Sequence, residues 1–402
     1  MIVEPFVALL VAAGNSSAAR YLPAMMRVLV PSFGWFAINL AIARGPFVWY
    51  GCSLAVQGVF ATVFVTTIGF KSDLITRAFI FPFLATAMAG GAKDFIPPMS
   101  GWTTAIVTLL QLWSVMGGLI MLACYPGNIM QVIEQQKFRN RRVKMAARDL
   151  AKKDKIVEVQ TVPSSDKKLS LQTLVVKQSY ETSRWVVYCG GNAEFLENTI
   201  IDIHVIADAL KAHAVLFNPR GIGYSSGFIT MLGDVVEDTA SVAQYYVEKE
   251  KIDEKNLVFF GHSIGGAAAA EVVAQCHPQA SLVVDRSFSA MSDAAVAFSY
   301  LTPKVTKKLF PLFAGDLRTI DAWNSIKHNR KLIFYSKQDE IIKYDVSSIA
   351  RLPQFQMDGA DAAKTVELLG TPPSFHNCLL SAFDNYEAVC AHMNKLFVEK
   401  KD

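Results

Sequence analysis

Residues 256–273 constrain the fold more than any other stretch of this chain. A short apolar run, Asn256-Leu-Val-Phe-Phe260, leads directly into Gly261-His262-Ser263-Ile264-Gly265-Gly266. A run of small, helix-compatible residues, Ala267-Ala-Ala-Ala-Glu271-Val-Val, follows at once. A buried strand, a G-x-S-x-G turn and a helix in immediate succession read as a nucleophile elbow. Such a turn forces its central residue into a strained backbone conformation, and glycines two places either side leave room for neighbouring chain. The Ser263 hydroxyl is expected at the top of a sheet, at the N-terminus of a helix. The motif alone leaves open a plain Gly-rich strand-to-helix turn; the flanking strand and helix argue against it.

The surrounding pattern supports a sheet. Ile156–Val162 and Leu169–Val176 read as paired strands, and Trp185–Cys189 as a buried strand ending in Gly190-Gly191-Asn192. Ala214–Phe217, Leu257–Phe260, Ser281–Asp285 and Lys331–Tyr335 continue the series, with Thr365–Leu369 as a weaker member. Helical stretches at Glu194–Ala212, Asp234–Glu250 and Cys378–Val398 separate or close them. Strands alternating with helices predict an α/β fold with a doubly wound, mostly parallel sheet over 156–402. The longer insertion Arg286–Asn329, with apolar Phe298, Leu301, Leu309, Phe310, Leu312 and Phe313, is expected to form a small helical lid.

The first third of the chain has a different character. Only 18% of the 402 residues are charged, against about 25% in soluble domains, and the deficit is concentrated. Gly45–Phe70 and Phe95–Ile133 contain no charged side chain. Each exceeds the roughly 20 apolar residues that cross a bilayer. A helical membrane region over 1–135 is therefore expected, with about two transmembrane helices near 46–70 and 102–124. The apolar stretch near Phe6 is followed by small residues, but Glu4 and the lack of a basic flank argue against a cleaved signal peptide. Lys137, Arg139, Arg141, Arg142, Lys144, Arg148, Lys152, Lys153 and Lys155 lie within 136–155, against Asp149 and Asp154. This segment reads as a basic juxtamembrane stalk meeting anionic lipid, and the positive-inside rule puts the following domain on the cytoplasmic side. Nucleic acid is not the expected partner. The six cysteines form no C-x-x-C pair and no zinc spacing, so no metal or cofactor is implied.

Serine needs a base to become a nucleophile, and the base needs an orienting group. On an open α/β sheet such groups sit on loops at the carboxyl ends of strands. His376, in Thr371-Pro-Pro-Ser-Phe-His-Asn377 between a late strand and the last helix, is the candidate base. His262 lies inside the elbow and is expected to point elsewhere; His204 and His213 are expected at the surface. Asp339, just after Lys331–Tyr335, is the first candidate to orient His376, with Glu340 and Asp285 as alternatives. The two N–H donors of an oxyanion hole are expected from Ile264, after the serine, and from Asn192, in the turn after Trp185–Cys189.

The G-G-N-A turn at 190–193, the Asn218-Pro-Arg-Gly-Ile-Gly-Tyr-Ser-Ser-Gly227 loop, the G-H-S-I-G-G elbow and a late Asp and His together resemble the α/β-hydrolase superfamily over roughly 156–400. Within it they are similar to the branch holding Bem-type and monoacylglycerol-lipase-like proteins. Asp285-Arg-Ser-Phe-Ser289 resembles, more weakly, a bacterial group called CHLPS proteins. The common H-G-N pattern is altered here, with Gly190 in place of the His. The resemblance implies a Ser263–Asp339–His376 triad cleaving carboxylic esters or thioesters through an acyl-enzyme. Membrane attachment makes a lipid-derived ester or a lipidated molecule the expected substrate. A non-catalytic membrane interaction protein on the same scaffold, or a serine peptidase of the same fold, are the rival readings.

Overall fold

The computed structural model describes residues 136–397, apart from Ala193, Phe228, Thr230 and Tyr300. The expected membrane region, 1–135, with its spans near 46–70 and 102–124, lies outside the described residues. Among the described residues no helix is long and apolar enough to cross a membrane.

The core is an eight-stranded sheet of β1 (Ile156–Pro163), β2 (Ser170–Lys177), β3 (Trp185–Cys189), β4 (His213–Phe217), β5 (Leu257–His262), β6 (Ser281–Asp285), β7 (Lys331–Tyr335) and β8 (Thr365–Glu367). The spatial order is β1-β2-β4-β3-β5-β6-β7-β8. β2 runs antiparallel to both β1 and β4, and every pairing from β4 to β8 is parallel. The order reverses around β3, with β4 on one side and β5 on the other. Crevices at carboxyl strand ends form at such a switch point.

Helices cover both faces, which explains why the parallel strands read as continuous apolar runs. Successive residues still point to opposite sides. Val186, Tyr188, Val258 and Phe260 join one core with Ile200, Ile203 and Ala207 of α2 (Leu196–Ala209) and with Val389 and Met393 of α8 (Tyr386–Asn394). Val187, Cys189, Leu257 and Phe259 join the other. Its helical side comprises Val242 and Tyr246 of α3 (Gly233–Glu250), Ala269, Ala270 and Val273 of α4 (Ile264–Gln275), and Trp323 of α7 (Thr319–Ser325). Each fully buried aliphatic or aromatic side chain contributes about 1.5–3 kcal/mol. Ala267–Ala270 of α4 are all fully buried, so this helix can lie close under the strands that carry the site.

The basic segment before the sheet is a helix, α1 (Gln136–Ala151). It lies against α2 rather than standing free. Ala146 and Leu150 enter the first core, Arg142 hydrogen-bonds Asn198, and Lys155 pairs with Asp208 at 2.6 Å. Arg141, Lys144, Arg148 and Lys152 stay exposed.

Two expected elements differ. Cys378–Val398 is not one helix. Asn385 interrupts it by accepting from Leu369 N–H at 3.0 Å and donating to the Glu367 carbonyl at 2.7 Å, so α8 begins only at Tyr386. The insertion 286–329 also divides. α5 (Met291–Val296) and α6 (Pro303–Ala314) form a cap over the carboxyl edge, where Ala294 and Phe310 join Ile264, Phe288 and Leu232 in a third cluster. α7, by contrast, is a sheet-covering helix. The described residues form the α/β-hydrolase fold.

Candidate active site

The elbow forms where β5 meets α4. Ser263 has φ 54° and ψ −122° and is the N-cap of α4. A non-glycine residue held in a sparsely populated region costs about 1–3 kcal/mol. Several bonds hold it there: Ser263 N–H donates to the Asp285 carbonyl at 2.9 Å, and its own carbonyl accepts from Gly266 N–H at 3.0 Å and from the Ser287 hydroxyl at 2.6 Å. The flanking glycines are sterically required. A Cβ at Gly261 would lie 2.2 Å from the Gly265 carbonyl oxygen, and one at Gly265 would lie 2.0 Å from that of Cys189.

His376 and Asp339 come from separate loops beyond β7 and β8 and are both buried. His376 Nε2 is 3.1 Å from Ser263 Oγ, and its Nδ1 is 2.8 Å from Asp339 Oδ2. The other Asp339 oxygen accepts from Ile341 and Ile342 N–H at 2.9 and 2.7 Å, which fixes the carboxylate. Burial, reinforced by the His262 charge, holds His376 below its ordinary 6.5 even though Asp339 pulls it up. A neutral imidazole between a hydroxyl and a carboxylate can accept the serine proton.

The alternatives to Asp339 sit elsewhere. Asp285 is engaged by Arg286, whose Nε and Nη2 lie 2.9 and 2.7 Å from its two oxygens. Glu340 accepts from Phe375 N–H at 3.1 Å, from His376 N–H at 3.3 Å and from the Ser374 hydroxyl, and so shapes the loop that carries His376.

Of the expected oxyanion donors, Ile264 is the first residue of α4, where N–H groups have no partner within the helix. Asn192 lies in the turn after β3. That turn abuts Ser263: a Cβ on Gly191 would lie 3.3 Å from Ser263 Cβ. The turn is tied by Glu194, whose Oε2 accepts from Gly191 N–H at 2.6 Å and from the Tyr188 hydroxyl at 2.8 Å.

Three participants in this geometry were not anticipated. His262 does turn away from the serine, but it reaches Glu194 Oε1 with Nδ1 at 2.8 Å and the His376 carbonyl with Nε2 at 3.0 Å. Arg286 Nη1 donates to the same carbonyl at 2.9 Å. Glu194 binds both the turn and His262. An adjacent Asp-Arg pair ending a buried strand, and a lone carboxylate beside a Gly-Gly turn, were the available signals. His204 and His213 also depart from expectation. His204 is buried with Nδ1 against the Ile201 carbonyl, and His213 opens β4, where its Nδ1 accepts from Gln178 N–H at 3.0 Å. Among the described residues no three His, Cys, Asp or Glu side chains are grouped as metal ligands would be.

A family model described as Chlamydia CHLPS protein (DUF818) matches residues 97–343, more than half of the chain. The α/β-hydrolase domain-containing protein WAV2 of Arabidopsis thaliana is 26% identical over 168 residues, covering 39% of this chain and 53% of WAV2. Protein bem46 of Schizosaccharomyces pombe is 24% identical over 179 residues, covering 44% of this chain and 58% of that protein. The chain thus spans only somewhat over half the length of these curated relatives. Among solved structures, the Pyrococcus furiosus esterase Pf2001 aligns with a TM-score of 0.46 at 15% identity, over 60% of this chain and 90% of its own. XC6422 of Xanthomonas campestris, described as a serine hydrolase without a lid, aligns with a TM-score of 0.42 at 16% identity, over 61% and 96%.

Proposed function

This chain belongs to the family described as Chlamydia CHLPS protein (DUF818), and we propose that it is a serine hydrolase cleaving carboxylic esters or thioesters. The observation that carries this reading is the line from Asp339 through His376 to Ser263, with contacts of 2.8 and 3.1 Å.

In this reading Ser263 Oγ attacks the substrate carbonyl carbon as His376 Nε2 takes its proton. Asp339 keeps the proton of His376 on Nδ1 and stabilises the imidazolium that forms. The N–H groups of Ile264 and Asn192 receive the charge that develops on the carbonyl oxygen. Collapse of the tetrahedral intermediate breaks the ester bond, and His376 returns the proton to the departing alcohol or thiol. Water then attacks the Ser263 acyl-enzyme, with His376 again as base, and releases the acid. No cofactor takes part.

The proposed substrate is lipid-derived or lipidated, and the proposed setting is a membrane. The charge-free runs of the first third and the exposed basic side chains of α1 support attachment to an anionic bilayer on its cytoplasmic side. Phe298, Leu301 and Leu312, on and beside the cap of α5 and α6, are all exposed, an arrangement suited to acyl chains.

A fluorophosphonate probe tests the chemistry. The wild-type chain in detergent should be labelled and Ser263→Ala should not; equal labelling of both rejects the reading. A series of p-nitrophenyl esters of increasing chain length tests the substrate class, and no rise in kcat/KM beyond short acyl groups removes the lipid part.

A further inference from the structure

Both ring nitrogens of His262 face hydrogen-bond acceptors: Nδ1 the Glu194 carboxylate at 2.8 Å, Nε2 the His376 carbonyl at 3.0 Å. A neutral imidazole has one N–H, so one of these contacts would set acceptor against acceptor; an imidazolium satisfies both. Glu194 has the complementary form. Besides His262, it accepts from Gly191 N–H and the Tyr188 hydroxyl, and a carboxylate accepting three hydrogen bonds is the ionised species. We infer that His262 is a doubly protonated positioning residue, charged at neutral pH, bridging the carboxylate that holds the oxyanion turn to the backbone of the catalytic base. This rests on the serine-hydrolase reading above.

The charges around His262 are of both signs. Glu194 faces it from the turn after β3, Asp285 and Arg286 from the end of β6, and His376 from the loop before α8, with the two imidazole rings 4.9 Å apart. With His262 charged, two cations, His262 and Arg286, face Glu194 and Asp285, while the buried Asp339 carboxylate is held on Nδ1 of the neighbouring His376 ring. Burial and Arg286 press the His262 pKa down, yet Glu194 and Asp285 outweigh them and hold it above 6.5. Burial alone would raise Glu194, but the His262 charge and the three hydrogen bonds bring it down to about 2.

Two consequences follow for the chemistry. The His376 carbonyl is gripped from two sides, by His262 Nε2–H and by Arg286 Nη1–H, which limits rotation of the base away from Ser263. The nearby positive charge also disfavours protonation of His376, keeping the base free at neutral pH. Through Glu194, the same bridge sets the Gly191–Asn192 turn relative to that base. A single ion pair thus couples the two halves of the site.

The test compares the pH dependence of fluorophosphonate labelling in full-length wild type, Glu194→Gln and His262→Gln, alongside 15N spectra of histidine-labelled wild type. The wild-type labelling rate should fall on an alkaline limb as His262 loses its proton. In Glu194→Gln that limb should move down by at least one pH unit, with the rate at pH 7 lowered tenfold or more; in His262→Gln it should vanish. A merely structural role would lower the rates and leave the limbs in place, and superimposable limbs overturn the inference. The spectra need no variant: one imidazole should keep both nitrogens protonated at pH 7, above the ordinary titration point of a histidine, and the absence of any such ring also overturns it. If wild type is labelled at no pH, the hydrolase reading fails, while the spectra still decide the charge of His262.

Discussion

Arg286 holds His376 through the main chain. Its Nη1 donates to the His376 carbonyl at 2.9 Å and to those of Phe375 and Cys378 at 3.1 and 2.8 Å, while Nε and Nη2 grip Asp285. Arg286 itself sits at φ 46° directly after β6, so the strand end and the loop carrying His376 are joined by one guanidinium. Arg286→Met should leave Asp285 buried without its cation. Breaking a buried pair from one side costs about 3–5 kcal/mol, so the denaturation midpoint should drop accordingly. Arg286→Lys, which cannot reproduce the fork, should recover only part. A midpoint unchanged in Arg286→Met would show that the clamp adds nothing.

Asp339→Asn should preserve the fold and remove most activity. An amide at this position favours the wrong tautomer of His376, and a comparable change in a serine protease lowers kcat by about 10⁴. Ester turnover should fall by about 10³–10⁴ while circular dichroism stays as in wild type. Glu340→Gln, which retains an acceptor for the loop, should lose far less. If the two variants were equally impaired, Asp339 would not be the orienting group.

The elbow glycines offer a steric prediction with an internal control. Gly265→Ala would drive a methyl to 2.0 Å from the Cys189 carbonyl oxygen, whereas a methyl at Gly233 meets nothing within 4 Å. Gly265→Ala should therefore destabilise by more than the 1–3 kcal/mol typical of overpacking, since backbone rather than a side chain must move. Gly233→Ala, in the first turn of α3, should lie within about 0.5 kcal/mol of wild type. Chemical denaturation measures both.

The pH response of labelling should have an acid limb set by His376. Because its pKa lies below 6.5, the rate should climb as pH rises through a midpoint under that value, when the base loses its proton. A midpoint above 6.5 would contradict the environment described for the ring.

Stability should carry the mark of the Glu194–His262 pair. Glu194 is depressed from 4.5 to about 2, so its contribution is complete above 4.5 and is lost as pH falls toward 2. His262 is raised above 6.5, so its contribution is complete below 6.5 and is lost as pH climbs through the raised value. The thermal midpoint difference between wild type and Glu194→Gln should therefore be greatest from pH 4.5 to 6.5 and shrink on either side. A difference independent of pH would mean that no ion pair is formed.

Much of the fold was legible because its signals are local. Each core strand is five or six mostly apolar residues bounded by a turn, and the ends of β1 to β7 lie within two residues of their expected places. The last helix was overdrawn because its interruption depends on Asn385 finding backbone partners at Glu367 and Leu369, which no local pattern reveals. The lid was overdrawn for a similar reason. The apolar side chains of α5–α6 and of α7 look alike in sequence, but Trp323 is buried against the sheet while Phe298 and Leu312 remain exposed.

The elbow is contiguous, so the chain alone determines it: Ser263, its strained backbone and its two glycines follow from eleven neighbouring residues, because their sterics act within a single turn. Proximity of Ser263 to His376, 113 positions away, is of another kind, as is the selection of Asp339 over Asp285 and Glu340. All three carboxylates end up beside the site, and only the packed loops decide which faces an imidazole and which faces a guanidinium or a backbone N–H. The charges of half-buried Glu194 and of buried His262 and Arg286 belong wholly to the tertiary level. The two buried cations are tolerable away from water only with their partners in place, and those partners are brought together by the sheet rather than by spacing along the chain.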